Sequence, residues 1–146
     1  MAWALRGAVD ADAPTMAVVH RASMRDAMPY LPDLHTPDED RAFFEREVGS
    51  SAGWVTVQGG VVRGFALVRD GWLNHLYVDV GWQGLGMGSA LLDEAVAHVG
   101  AGLRLWAFQR NVRARAFYAA RGFREVEVTD GTGNEEKEPD VLLQWQ

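Results

Sequence analysis

Leu76-Tyr77-Val78-Asp79-Val80-Gly81-Trp82-Gln83-Gly84-Leu85-Gly86-Met87-Gly88-Ser89 is the stretch on which the fold turns. A strand-like apolar run reaches Val78 and Val80, glycines at 81, 84, 86 and 88 make a turn, and Ala90 to Val99 reads as an amphipathic helix. A strand fed through glycines into a helix leaves backbone N–H groups bare at the helix N-terminus, where a phosphate can dock.

Two common phosphate loops do not fit. A P-loop needs a lysine followed by Ser or Thr, and Met87-Gly88-Ser89 supplies none. A dinucleotide fingerprint needs a parallel βαβ unit with a third glycine, yet Leu91 stands at that place. The strands before the loop are hairpin-linked instead. Trp54–Gln58 and Val61–Arg69 are joined by Gly59-Gly60, and Asp70-Gly71 leads into Trp72–Val78.

Outward from there, Trp3–Val9 reads as a first strand, and Asp12 as the cap of a helix to about Met28, stopped by Pro29 and Pro32. Thr36-Pro37-Asp38-Glu39 is a capping-box start for a helix to about Val48. After the loop helix come a strand at Leu103–Phe108, a helix from Asn111 to Arg121 closed by Gly122, and strands at Phe123–Thr129 and Asp140–Trp145. The expectation is a single α+β domain over residues 1–146, with about seven strands in a mixed, mostly antiparallel central sheet and about four helices.

Composition narrows the function. The 146 residues are 48% hydrophobic and 23% charged, as in ordinary globular proteins. A net charge of −6 argues against a nucleic-acid surface, so an anionic ligand must be held by a local arrangement. No apolar run approaches the roughly 20 residues of a membrane span, and the N-terminus lacks a signal-peptide layout. With no cysteine, disulfides and a thiol nucleophile are excluded, and no metal site is expected. A reducing cytoplasm and, from the dominance of arginine over the single Lys137, a bacterial source are the matching expectations.

Gln83-Gly84-Leu85-Gly86-Met87-Gly88 after Leu76-Tyr77-Val78 resembles the acetyl-coenzyme-A loop of the Gcn5-related N-acetyltransferases (GNAT). Asn111-x-x-Ala114-x-x-Phe117-Tyr118-x-x-x-Gly122-Phe123 is similar to that family's second characteristic segment, and the order of elements also fits. The resemblance implies a splayed strand pair (Leu76–Val78 side against Leu103–Phe108) forming the acetyl-CoA slot. It implies that N–H groups from Gln83 to Ser89, through Gly84, Leu85, Gly86, Met87 and Gly88, hold the pyrophosphate. The edge Leu76-Tyr77-Val78 would pair with the pantetheine arm, a form of strand addition, with Asn111 and Phe117 beside it. Acetyl-CoA is the implied donor and no metal is called for.

For acetyl transfer, a free amine with a pKa near 10 must be presented neutral, costing on the order of 4 kcal/mol at pH 7. A base, oxyanion donors and a donor near sulfur are also needed. Tyr118 is the candidate donor. Asn111, Arg115 and Tyr118 follow at spacings of four and three, so they share a helix face, and the resemblance places a tyrosine here near sulfur. For the base, His75 and ordered water both stand, since the preceding strand carries no glutamate. Arg110, Arg113 and Arg115 read either as 3′-phosphate contacts or as a solvated face. Trp72, Trp82 and Trp106 read as core or pocket wall.

The acceptor side is expected from His20–His35 and the loop Asp130–Asp140, where Glu135, Glu136 and Glu138 either attract a cationic amine or form a solvated turn. The reading is an acetyl-CoA-dependent N-acetyltransferase acting on a primary amine of a small molecule or peptide, as monomer or homodimer. A non-catalytic acyl-CoA-binding sensor of the same fold is the alternative.

Overall fold

The computed structural model describes residues 2–146. The elements are β1 (Ala4–Gly7), α1 (Ala13–Ala27), α2 (Pro37–Ser50), β2 (Ala52–Gln58), β3 (Val61–Arg69), β4 (Trp72–Val78), α3 (Met87–Val99), β5 (Arg104–Phe108), α4 (Val112–Ala119), β6 (Phe123–Thr129) and β7 (Asp140–Trp145). One seven-stranded sheet has the order β1-β2-β3-β4-β5-β7-β6. Every neighbouring pair is antiparallel except β4–β5, which is parallel.

That parallel pair meets at one register position, Trp72 with Arg104. Beyond it the strands part, so the sheet opens between the ends of β4 and β5. A bulge sharpens the parting: Leu67 pairs with His75 but Val68 with Leu73, leaving the exposed Asn74 unmatched. The extra residue resets which face each β4 side chain takes. Leu73, Leu76 and Val78 pack with the α3 side, and Tyr77 with the α1/α2 side.

Two apolar layers hold the sheet. Leu91, Leu92 and Ala95 of α3 press on Ala66, Leu73, Leu105, Val141 and Leu143, with Tyr118 of α4 and Phe123 in the same cluster. On the other face, Met16, Val19, Phe44 and Val48 of α1 and α2 bury Val55, Phe65 and Leu67. Each fully buried side chain of this size contributes roughly 1.5–3 kcal/mol.

The start of α2 is the expected capping box: Glu39 N donates to Thr36 Oγ1 at 3.1 Å and Thr36 N to Glu39 Oε1 at 2.8 Å. Asp12 departs from expectation. Its carboxylate makes no cap bond to α1 and instead receives Arg6 through two bonds of 2.9 Å and Val9 N at 2.9 Å. A paired guanidinium outcompetes a neutral amide for a carboxylate. The loop helix starts three residues earlier than the apolar pattern suggested, at Met87, because Gly86 at φ 88° turns the chain directly into it. In place of a helix running to Arg121, α4 ends at Ala119, and Gly122 follows at φ 92°.

Candidate active site

Three chain segments converge where β4 and β5 part: the turn into α3, the end of β4, and α4. A cleft of about 710 Å³ lies there, lined by Leu76, Val78, Gln83, Gly84, Gly86, Gly88, Ser89, Asn111, Phe117 and Tyr118. Among the described residues, the first bond of the loop helix runs from Ala90 N to Gly86 O at 3.1 Å. The N–H groups of Gly84 to Ser89 therefore have no backbone acceptor, and the positive end of α3 faces the cleft. A Cβ at Gly84 would meet nothing within 4 Å, so the backbone there is open to a ligand. Gly88 sits under Phe117 and Val78, its nearest neighbour being Phe117 Cζ at 3.6 Å from an ideal Cβ.

The end of β4 is fixed through the Val78 carbonyl, which accepts from Ser23 Oγ at 2.9 Å and Gln83 Nε2 at 3.1 Å. The Gln83 side chain thus holds the turn against its own strand. On α4, Asn111 Oδ1 accepts from Ala114 N at 3.2 Å, capping the helix that carries Tyr118 inward. Tyr118 is buried between Phe117 and Phe123, with ring centroids 5.2 and 5.4 Å away. Burial, reinforced by the neighbouring Tyr77, pushes its phenol well above the ordinary value.

Not every expected residue reaches this cleft. Leu85 is exposed, with its carbonyl taken by Trp3 Nε1 at 3.2 Å, and the Met87 side chain is core. Arg115, on the expected face with Asn111 and Tyr118, turns to β6 and grips Glu125 at 2.7 and 2.9 Å. Arg110 is held by Glu138 through two bonds of 2.7 Å and lies over the Tyr30 ring. The turn around Glu138 is therefore tied down. Of the three arginines only Arg113 lines the cleft, joined by Arg121, which bonds to Ser89 Oγ and lies 4.1 Å from the Phe117 ring. The i,i+4 spacing from Phe117 was the available signal for Arg121. Trp82 lines the cleft under Arg63, whereas Trp72 and Trp106 stack on each other beside Arg104.

His75 and Tyr77 face the other side of the sheet, where a cavity of about 530 Å³ is walled by α1, α2, β4, Phe108 and the loop holding Glu135 and Glu136. His75 Nε2 lies 3.0 Å from Glu47 Oε1, and Arg69 donates to Glu47 Oε2 at 3.0 Å. These bonds, His75 first, hold the Glu47 carboxyl down at about 2 despite its burial. His75 Nδ1, on the far side of the ring from Glu47, is buried with no partner among the described residues. His20 packs edge-on to Tyr77 at 4.8 Å and 6.2 Å from the His75 ring; burial, then the neighbours His75, Arg21 and His35, lower its pKa to about 4. Glu47 lies 28 positions from His75, and no local pattern announced it.

A glycine turn with N–H groups open to a ligand thus leads into a gap between two strands, with a buried phenol at its wall. A family model described as "Acetyltransferase (GNAT) domain" matches residues 49–125, from the end of α2 into β6. An uncharacterized N-acetyltransferase of Archaeoglobus fulgidus is 29% identical over 115 residues, covering 76% of this chain and 78% of that protein. The solution structure of apo-form YjaB from Escherichia coli superposes with a TM-score of 0.81 at 18% identity, covering 99% of this chain and 98% of that one. Salmonella typhimurium yncA, solved with its cofactor acetyl-CoA, gives 0.73 at 21% identity, covering 100% and 94%. The chain belongs to the GNAT acetyltransferase family. Its reaction class is N-acetyl transfer and its acyl donor acetyl-CoA.

Proposed function

We propose that this protein acetylates a primary amine of a small molecule or peptide by direct attack on acetyl-CoA bound in the β4–β5 gap. The observation that supports this most is the coincidence, in one cleft, of free N–H groups at Gly84–Ser89 and the buried Tyr118. The residues present fit the donor. Gln83 to Ser89 would hold the pyrophosphate, with Arg113 and Arg121 as the nearby cations. Leu76 and Val78 would line the pantetheine arm, with Asn111 and Phe117 opposite. When bound, acetyl-CoA supplies the activated carbonyl carbon and a thiolate leaving group.

The amine nitrogen forms the new C–N bond and the C–S bond breaks. The electron pair goes to sulfur, and the amine gives up one proton. Tyr118 serves as hydrogen-bond donor to sulfur. A free thiol has a pKa of about 8.5 and a phenol about 10, so full proton transfer is already roughly 2 kcal/mol uphill. Burial raises the phenol further, which widens that gap and favours hydrogen bonding over transfer. His75, paired with Glu47 on the wall of the cavity across the sheet, is the proposed acceptor of the amine proton.

Thiol release from acetyl-CoA across amines, amino acids, polyamines and peptides tests the assignment. At least one amine should turn over, and Tyr118→Phe should lower kcat by about tenfold or more with the acetyl-CoA KM little changed. Tight acetyl-CoA binding without turnover of any amine would leave a binding domain and sink the catalytic reading.

A further inference from the structure

The aromatic cavity on the α1/α2 side holds one carboxylate that its surroundings do not explain. Other nearby acids are spent: Asp40 and Asp33 on Arg21, Asp33 also on Arg25, Glu135 on His35, and Glu138 on Arg110. Glu136 is only partly exposed, and among the described residues it makes no hydrogen bond or ion pair. It lines this cavity and the adjoining one of about 380 Å³, with which the first shares His20, Met24, His35 and Asp40. Its carboxylate is therefore free to meet a cation that enters the cavity.

The walls around it are of a matching kind. Phe43, Tyr77 and Phe108 line the cavity beside His20 and His75, and the faces of such phenyl and phenol rings attract cations. Glu136 and Tyr77 line the same cavity, and burial first, then the Glu136 charge, push the Tyr77 phenol up to about 12. Arg21 and Arg25 are committed to Asp33 and Asp40; Arg46 is the cation at the cavity without an ion pair among the described residues, and it is exposed at the rim. An acceptor bearing its own carboxylate would face Glu136 and the negative faces of the rings.

We propose that the amine acceptor carries a second, positively charged nitrogen, as a diamine or longer polyamine does, and that Glu136 holds that charge against the Tyr77 and His20 rings while the other amine reacts. This rests on the catalytic reading above and adds the substrate class. The paired cavities offer an elongated path for such a chain.

Diaminobutane, butylamine and aminobutanoate share a four-carbon chain and differ only at the far end. In a thiol-release assay kcat/KM should favour diaminobutane by about tenfold or more over both others. Glu136→Gln should collapse the diamine-to-monoamine ratio towards one through KM, whereas Glu135→Gln, whose carboxylate is spent on His35, should retain it. Equal use of butylamine, preference for aminobutanoate, or an unchanged ratio in Glu136→Gln overturns the proposal. Acetyl-CoA binding, followed by calorimetry on the same preparations, separates the two levels. If acetyl-CoA binds but no amine reacts, the catalytic reading fails. Diaminobutane binding to the wild type and not to Glu136→Gln would still uphold the site, and its absence would refute it.

Discussion

Acidification should loosen this protein through one ring, and replacing His20 by phenylalanine should remove that sensitivity. His20 is wedged against Tyr77 at 4.8 Å and Phe44 at 5.2 Å, and its Nδ1 is buried without a partner. Burial, with His75, Arg21 and His35 nearby, lowers its pKa from 6.5 to about 4. Between those two values the unfolded chain binds a proton at this position and the native protein does not. Stability is therefore full above pH 6.5 and falls as the pH drops towards 4. Each pH unit across the window costs about 1.4 kcal/mol, which sets an upper limit near 3 kcal/mol, and residual solvent access reduces it to about 2 kcal/mol. Phenylalanine occupies similar ring volume and discards a nitrogen that has no partner, so at pH 7 the substitution should change stability by less than about 1 kcal/mol. Urea unfolding of wild type and His20→Phe at pH 7, 6, 5 and 4.5 gives the two curves. The variant should become the more stable protein by about 1–2 kcal/mol at the acid end. Curves that stay parallel within about 0.5 kcal/mol would refute a neutral, desolvated His20.

Glu47→Gln should cost about 1–2 kcal/mol at pH 7, with the carboxylate's contribution in the wild type lost as the pH falls from about 4.5 towards 2; the same variant should move the His75 ring signals in an NMR spectrum at pH 7, and unchanged signals would break the pairing. Gly88→Leu should raise the acetyl-CoA KM by about tenfold or more while the melting temperature holds, since the added atoms enter the cleft beside Phe117 and Val78. Gly88→Ala, whose Cβ meets only ordinary contacts there, should retain binding and gain up to about 1 kcal/mol of helix stability. Thr36→Ala removes the cap bond from Glu39 N and should lower stability by about 1 kcal/mol, read as a drop of roughly 3 °C in Tm.

What was legible in the chain was local. The Thr36–Glu39 box, the Gly59-Gly60 and Asp70-Gly71 turns and the strand–glycine–helix run each carry their signal within a few residues, and all formed, the loop helix three residues early. The Asp12 cap failed because Arg6, six residues back across a turn, offered a stronger partner. Pairings between distant segments left no trace in spacing. Arg110 with Glu138, Glu47 with His75 and Arg121 with Ser89 are 28, 28 and 32 positions apart. They decide which charges are free to meet a ligand. Glu136 stands out only after its neighbours have been matched.

The lone rung between Trp72 and Arg104 has a mechanical consequence. Four strands with α1 and α2 form one leaf, three strands with α4 form another, and the main chain of the sheet crosses between them at a single point, with α3 as the side-chain bridge. A guest lying along the gap would splice the leaves, so amides of β5 and β7 should exchange more slowly with heavy water when acetyl-CoA is present, although they lie beyond its pyrophosphate cradle. The donor would then act as a structural tie as well as a reagent, and the protein would be stiffest while loaded.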